Sequence, residues 1–176
     1  VNRVWMHLMG EGLVRSVDNF GRLGDRPSHP ELLDRLVTDF VADGWSIKRL
    51  IRRICLSRVY GLSGEFDQAA FDADPANRLW WRRRPRRLPA ESIRDAMLTV
   101  SGQLDPTRGG SSVATFGESA VANNTNEKSE NRRDGAYRRS IYLPVVRNEL
   151  PPILTVFDFA DPDVVTGKRA VTNVPA

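Results

Sequence analysis

The densest charge in the chain lies in Trp80-Trp81-Arg82-Arg83-Arg84-Pro85-Arg86-Arg87-Leu88. Guanidinium groups bind phosphate, sulfate or carboxylate through paired N–H donors, and indole faces stack on bases or sugars. Two roles are therefore open. Trp80, Trp81, Arg82, Arg83, Arg84, Arg86 and Arg87 can form a polyanion or partner surface. Alternatively, the tryptophans enter the core and the arginines pair with acidic neighbours. The run sits between two apolar flanks, Leu79-Trp80-Trp81 and Leu88, which favours the second role and predicts that both flanks are buried.

A second cluster is acidic: Glu149, Asp158, Asp161 and Asp163. Closely spaced oxygen ligands can hold calcium, but this spacing misses the EF-hand loop and lacks its glycine. The expected roles are a turn cap for Asp161, before Pro162, and an arginine partner for Asp158. No metal is assigned. The two histidines, His7 and His29, have no acid or serine at a diagnostic spacing, so packing or capping outweighs catalysis. The single cysteine, Cys55, excludes an intramolecular disulfide and reads as a small hydrophobe at a helix margin. There is no phosphate-cradling glycine loop and no Cys-x-x-Cys-His for covalent haem, so no cofactor is assigned to this chain.

These residues are carried on a mainly α chain organised by Ser28 to Tyr60. Ser28 and Glu31 have capping-box spacing, and Pro30 falls in the first helical turn. Leu32, Leu33, Leu36, Val37 and Phe40 then share one face. Gly44 is a left-handed terminator, and Ser46 caps a second helix with the stripe Ile47, Leu50, Ile51 and Ile54. Arg58 falls on that stripe, which predicts a buried carboxylate partner. A basic second helix after a short corner invites a DNA-binding helix-turn-helix reading. An αα-hairpin with a solvated basic face is the better account, and nucleic acid is not expected among the partners.

Val1 to Met9 reads as a helix with Val4, Trp5, Leu8 and Met9 inward, ended by Gly10 or Gly12. Phe20 and Leu23 are expected to pin the following connector to the core. A short helix is expected around Phe66 to Phe71, and Asp74-Pro75 marks a turn or helix start. Pro85 breaks any helix through the arginine run. Pro89 opens a helix with the stripe Ile93, Ala96, Met97, Val100 and Leu104. Residues 113–135 are poor in apolar side chains and read as a long mobile loop. Ser140 to Leu143 has strand character, and Leu150 to Phe157 reads as a short helix.

The 176 residues suffice for one domain with a substantial core, and 40% hydrophobic with 27% charged residues fits a globular chain. The net charge of +4 permits acidic partners without requiring them. No apolar run is long enough for a membrane span. The uncapped start and abrupt end read as a fragment truncated at both ends, a single helical domain over 1–176.

Several phrases also occur together in order: Asn2-Arg3-Val4-Trp5, Gly10-Glu11-Gly12-Leu13-Val14, Asp18-Asn19-Phe20-Gly21 and Pro27-Ser28-His29-Pro30-Glu31-Leu32-Leu33-Asp34. Gly44-Trp45-Ser46-Ile47-Lys48, Arg86-Arg87-Leu88, Arg94-Asp95-Ala96-Met97-Leu98 and Arg138-Arg139-Ser140-Ile141-Tyr142-Leu143-Pro144 follow. Phe157-Asp158-Phe159-Ala160-Asp161-Pro162 closes the series. The chain resembles a planctomycete-specific domain of unknown function, the one numbered fifteen-fifty-three. That resemblance implies the C-terminal part of a large extracytoplasmic bacterial protein, with upstream domains and a haem-c module as partners. It supplies no catalytic residue. The reading is a non-catalytic structural or interaction module. The alternatives are a hydrolytic or redox enzyme of polysaccharide processing, using acids near Asp158 or Asp161 with a histidine, and, more weakly, a polyanion-binding domain.

Overall fold

The computed structural model describes residues 1–110, 137–143, 145, 150–157, 159–161, 164 and 167–169. The loop expected over 113–135 lies outside them. The chain divides into two compact units, Val1–Arg86 with Thr166–Lys168 and Arg87–Val165 with Arg169–Ala176. Both are helical. Among the described residues the only β pairing is an isolated bridge between Asp105 and Arg138.

The first unit packs α1 (Asn2–Met9), α2 (Pro30–Ala42) and α3 (Ile47–Cys55), with α3 touching both others. Its core is Trp5, Met9, Leu13, Leu36, Leu50 and Ile54, one or two side chains from each helix and its connector. Gly10 closes α1 at φ 97°, a left-handed turn that a side chain would strain, and its amide donates to the Met6 carbonyl at 2.7 Å. The Ser46 hydroxyl caps α3 by accepting from the Arg49 amide.

The capping box does not form. His29 occupies the N-cap of α2 and makes no side-chain cap bond. The Ser28 amide, which Glu31 would have had to reach, instead donates to the Leu13 carbonyl at 2.8 Å. That bond ties the hairpin to the connector after α1. Phe20 and Leu23 do not pin this connector; both are exposed, Leu23 at 88%. Asn2 does so, donating to the Val14 carbonyl at 3.0 Å and accepting from the Val14 amide at 2.9 Å. A buried carboxamide satisfies both backbone groups at once, which an apolar contact cannot.

Arg58 also departs from expectation. Helix α3 stops at Cys55, so the helical wheel no longer applies, and Arg58 is exposed in the turn that follows. Helix α4 (Gln68–Ala73) is capped by Asp67 Oδ1, which accepts from the Ala70 amide at 2.7 Å. The chain then runs without helix from Asp74 to Pro89.

In the second unit α5 (Ala90–Val100) contacts a 3-10 turn at Ser140–Tyr142 and α6 (Pro152–Val156). Ala90, Leu143 and Leu154 form its core, with Ile153, Phe157 and Phe159 against it. Ser140 to Leu143 is therefore not a strand. Asp95 Oδ1 accepts from the Ser140 amide at 2.7 Å, and the Leu143 amide turns back to the Ser140 carbonyl at 3.0 Å. The apolar stripe read on α5 is largely turned out: Ala96 and Met97 are exposed, and Val100 is 89% exposed. The side chain buried at the middle of α5 is Arg94, 2% exposed.

Candidate functional site

The arginine run lies beside the C-terminal turn of α1. The last carbonyls of a helix lack intrahelical donors and carry the negative end of its dipole, so cations are favoured there. Arg83 Nη2 donates to the Leu8 carbonyl at 2.7 Å, and Arg86 Nη1 donates to the His7 carbonyl at 2.9 Å. Arg83 also lies over the Tyr60 ring, 4.3 Å from its centroid. Arg84 reaches the Glu11 carboxylate at 3.4 Å and the Ala76 carbonyl. Arg82 stacks over Phe66 and Trp81, 5.2 and 4.7 Å from their centroids. Arg87, which belongs to the second unit, is exposed and has an interaction of its own.

The two tryptophans hold the run in place. Trp80 meets Trp5 edge-on at 5.7 Å, joining the core, and Trp81 Nε1 donates to the Asp74 carbonyl at 2.9 Å. The flanks behave otherwise than expected, because Leu79 and Leu88 are both exposed. The turn before the run is set by two buried polar residues. Asp74 Oδ2 accepts from the Leu79 amide at 2.7 Å, and Asn77 Nδ2 donates to the Arg82 carbonyl at 2.9 Å. The Leu79 amide bond, with help from Arg78 and Arg15, holds the Asp74 carboxyl below its ordinary range.

Of the acidic cluster, Glu149, Asp158 and Asp163 lie outside the described residues, and Asp161 is exposed and engaged. No group of three or more metal-ligating side chains occurs among the described residues. His7 is exposed on α1, and His29 Nδ1 lies 3.0 Å from the Ser28 hydroxyl. Among the described residues no helix is long and apolar enough to cross a membrane.

The basic helix α3 divides into two sides. Arg53 pairs with Asp39 at 3.0 Å and with Asp43 at 2.9 Å, and Arg49 approaches Asp43 at 3.8 Å. Donating a hydrogen bond to the Asp43 carboxylate raises the Arg53 pKa above its ordinary value. Asp39 and Asp43 stand four apart at the end of α2, as Arg49 and Arg53 do on α3, so one acidic row meets one basic row. That matched spacing is visible in the sequence and is the signal that a reading of each helix alone misses. Lys48 and Arg52, on the other side of α3, have no carboxylate partner among the described residues.

A family model described as a protein of unknown function, DUF1553, matches residues 1–176. The chain belongs to that family. No curated protein and no solved structure matches it. For this DUF1553 chain the site is therefore defined by its own geometry: an arginine run turned onto a helix end, and a basic helix half of whose cations have no carboxylate partner among the described residues.

Proposed function

We propose that this chain is a non-catalytic structural and interaction module of an extracytoplasmic, haem-c-associated protein of planctomycete type. The observation that supports the module reading is the inward direction of the arginine run. Arg83 and Arg86 spend their donors on the Leu8 and His7 carbonyls, and Arg84 on Glu11 and Ala76. Groups committed to closing a helix end are poor candidates for a site that must exchange substrate or bind a mobile polyanion. The extracytoplasmic and haem-c setting, and the upstream domains as partners, rest on the resemblance carried by the sequence motifs.

The test is the double variant Arg83→Ser with Arg84→Ser. Its melting temperature should fall well below that of the parent chain, with heparin binding across a salt series unchanged. Salt-sensitive heparin binding that disappears in the variant while melting is unchanged would overturn the reading, as would turnover of a polysaccharide substrate by the parent chain.

A further inference from the structure

We infer that the outer flank of α3 and the corner before it form a docking face for a protein partner that presents an amphipathic helix with acidic residues. The inference deepens the module reading above and rests on it.

The argument begins with spacing. Ile47 and Ile51 stand four apart on α3, and Lys48 and Arg52 stand four apart immediately beside them, so an apolar row runs alongside a basic row. Leu50 and Ile54 are the residues that enter the core. Ile47 is 57% and Ile51 38% exposed. At the start of this flank Trp45 is 67% exposed, with its ring meeting the edge of Phe40 at 5.4 Å.

The backbone adds an independent observation. Trp45 holds φ 61°, in the left-handed region, directly after Gly44 at φ 68°. A bulky residue there is strained, and a glycine would form the same corner without the penalty. The strained corner presents a large aromatic ring at the surface, a residue type enriched among binding hot spots.

Charge decides the kind of partner. Arg49 and Arg53 are paired with Asp39 and Asp43, whereas Lys48 and Arg52 have no carboxylate partner among the described residues. An apolar row beside two open cations complements a helix whose leucine row is bordered by carboxylates at the same spacing. A duplex or an anionic bilayer fits less well. A duplex would lay phosphates against exposed isoleucines, and the two isoleucines on this flank of the nine-residue α3 give a bilayer little apolar surface to insert.

The test uses a designed helical peptide with leucine and glutamate rows at this spacing, and a second peptide with lysine replacing each glutamate. Binding is followed by NMR through the Trp45 indole N–H and the amides of residues 47–52. The glutamate peptide should shift these signals, and the lysine peptide should not. Lys48→Glu with Arg52→Glu should weaken the glutamate peptide by about tenfold or more and admit the lysine peptide. No shift with the glutamate peptide overturns the inference. So does binding indifferent to the charge exchange, or the same signals moving with phosphatidylglycerol vesicles or duplex DNA instead. These substitutions lie on exposed side chains, and an unchanged amide spectrum elsewhere verifies the fold. A failure here leaves the Arg83 and Arg84 result standing, whereas a failure of the module reading appears in that experiment.

Discussion

Arg83 closes the end of a helix that lies more than seventy residues before it, donating to the Leu8 carbonyl at 2.7 Å. The same guanidinium covers Tyr60, which follows α3. One side chain thus joins α1, the segment after α3 and the non-helical run, and satisfies a carbonyl to which no backbone amide among the described residues donates.

Arg83→Ala should accordingly destabilise the chain by about 2–4 kcal/mol, from a charge-assisted hydrogen bond and a ring contact. Arg83→Lys should lose less, since it keeps the charge at the helix end but not the planar fork. Urea titration gives both values. A loss in Arg83→Ala of less than about 0.5 kcal/mol would place it with ordinary surface residues.

Arg94 and Arg58 form a contrasting pair. Arg94 is enclosed, with Nη1 donating to the Arg138 carbonyl at 2.7 Å and to Ser140 Oγ at 3.3 Å. Truncating it leaves the half-buried Arg138 carbonyl and the buried Ser140 hydroxyl short of a donor, so Arg94→Ala should cost about 3–5 kcal/mol. Arg58 is exposed, and Arg58→Ala should change stability by no more than about 0.5 kcal/mol. Denaturant midpoints of the two variants, compared at one pH, test the ranking.

That contrast shows what the sequence discloses. Helices α1, α2, α3 and α5 are legible because apolar residues recur at helical spacing and because Gly10, Pro30, Gly44 and Ser46 punctuate them. Periodicity reports that a helix has an apolar side, not which side its neighbours cover. On α5 the 3-10 turn and α6 dock against Ala90 and Arg94, leaving Met97 and Val100 outside. The arginine run is visible as charge, but its destination is not. The acceptors at His7 and Leu8 are backbone carbonyls, which have no sequence signature.

Asn2 should be among the least replaceable polar residues of the first unit. Asn2→Ala strands the Val14 amide and carbonyl in a buried position, for a loss of about 2–4 kcal/mol. Asn2→Asp should be worse at neutral pH, because a carboxylate oxygen would then face the Val14 carbonyl without a proton to donate. Thermal melts of both variants at neutral pH check the order.

Asp74 provides a pH dependence with a defined sign. Its folded pKa lies below the ordinary 3.8, first through the Leu79 amide bond, so the unfolded chain binds the proton more readily. Stability from this group is complete above the ordinary carboxylate value and is lost as pH falls through the folded pKa. Asp74→Asn should therefore flatten the acid limb of the stability curve. An acid limb in Asp74→Asn as steep as in the parent, from urea midpoints between neutral pH and acid, would contradict the assignment.

Trp45 separates stability from function at the corner. Its left-handed backbone carries a strain of about 1–3 kcal/mol, while its edge contact with Phe40 returns about 0.5–1.5 kcal/mol. Glycine relieves the first and forfeits the second. Trp45→Gly should therefore leave the chain about as stable as before or slightly more so, an unusual outcome for removing a tryptophan. Trp45→Ala loses the ring and retains the strain, so it should be the less stable of the two. If instead both variants lose several kcal/mol by urea titration, the ring is a structural plug and its exposure has no bearing on partners. If Trp45→Gly is neutral, the strained tryptophan is retained for something other than folding, and the adjoining row of Ile47, Lys48, Ile51 and Arg52 is where that function is to be sought.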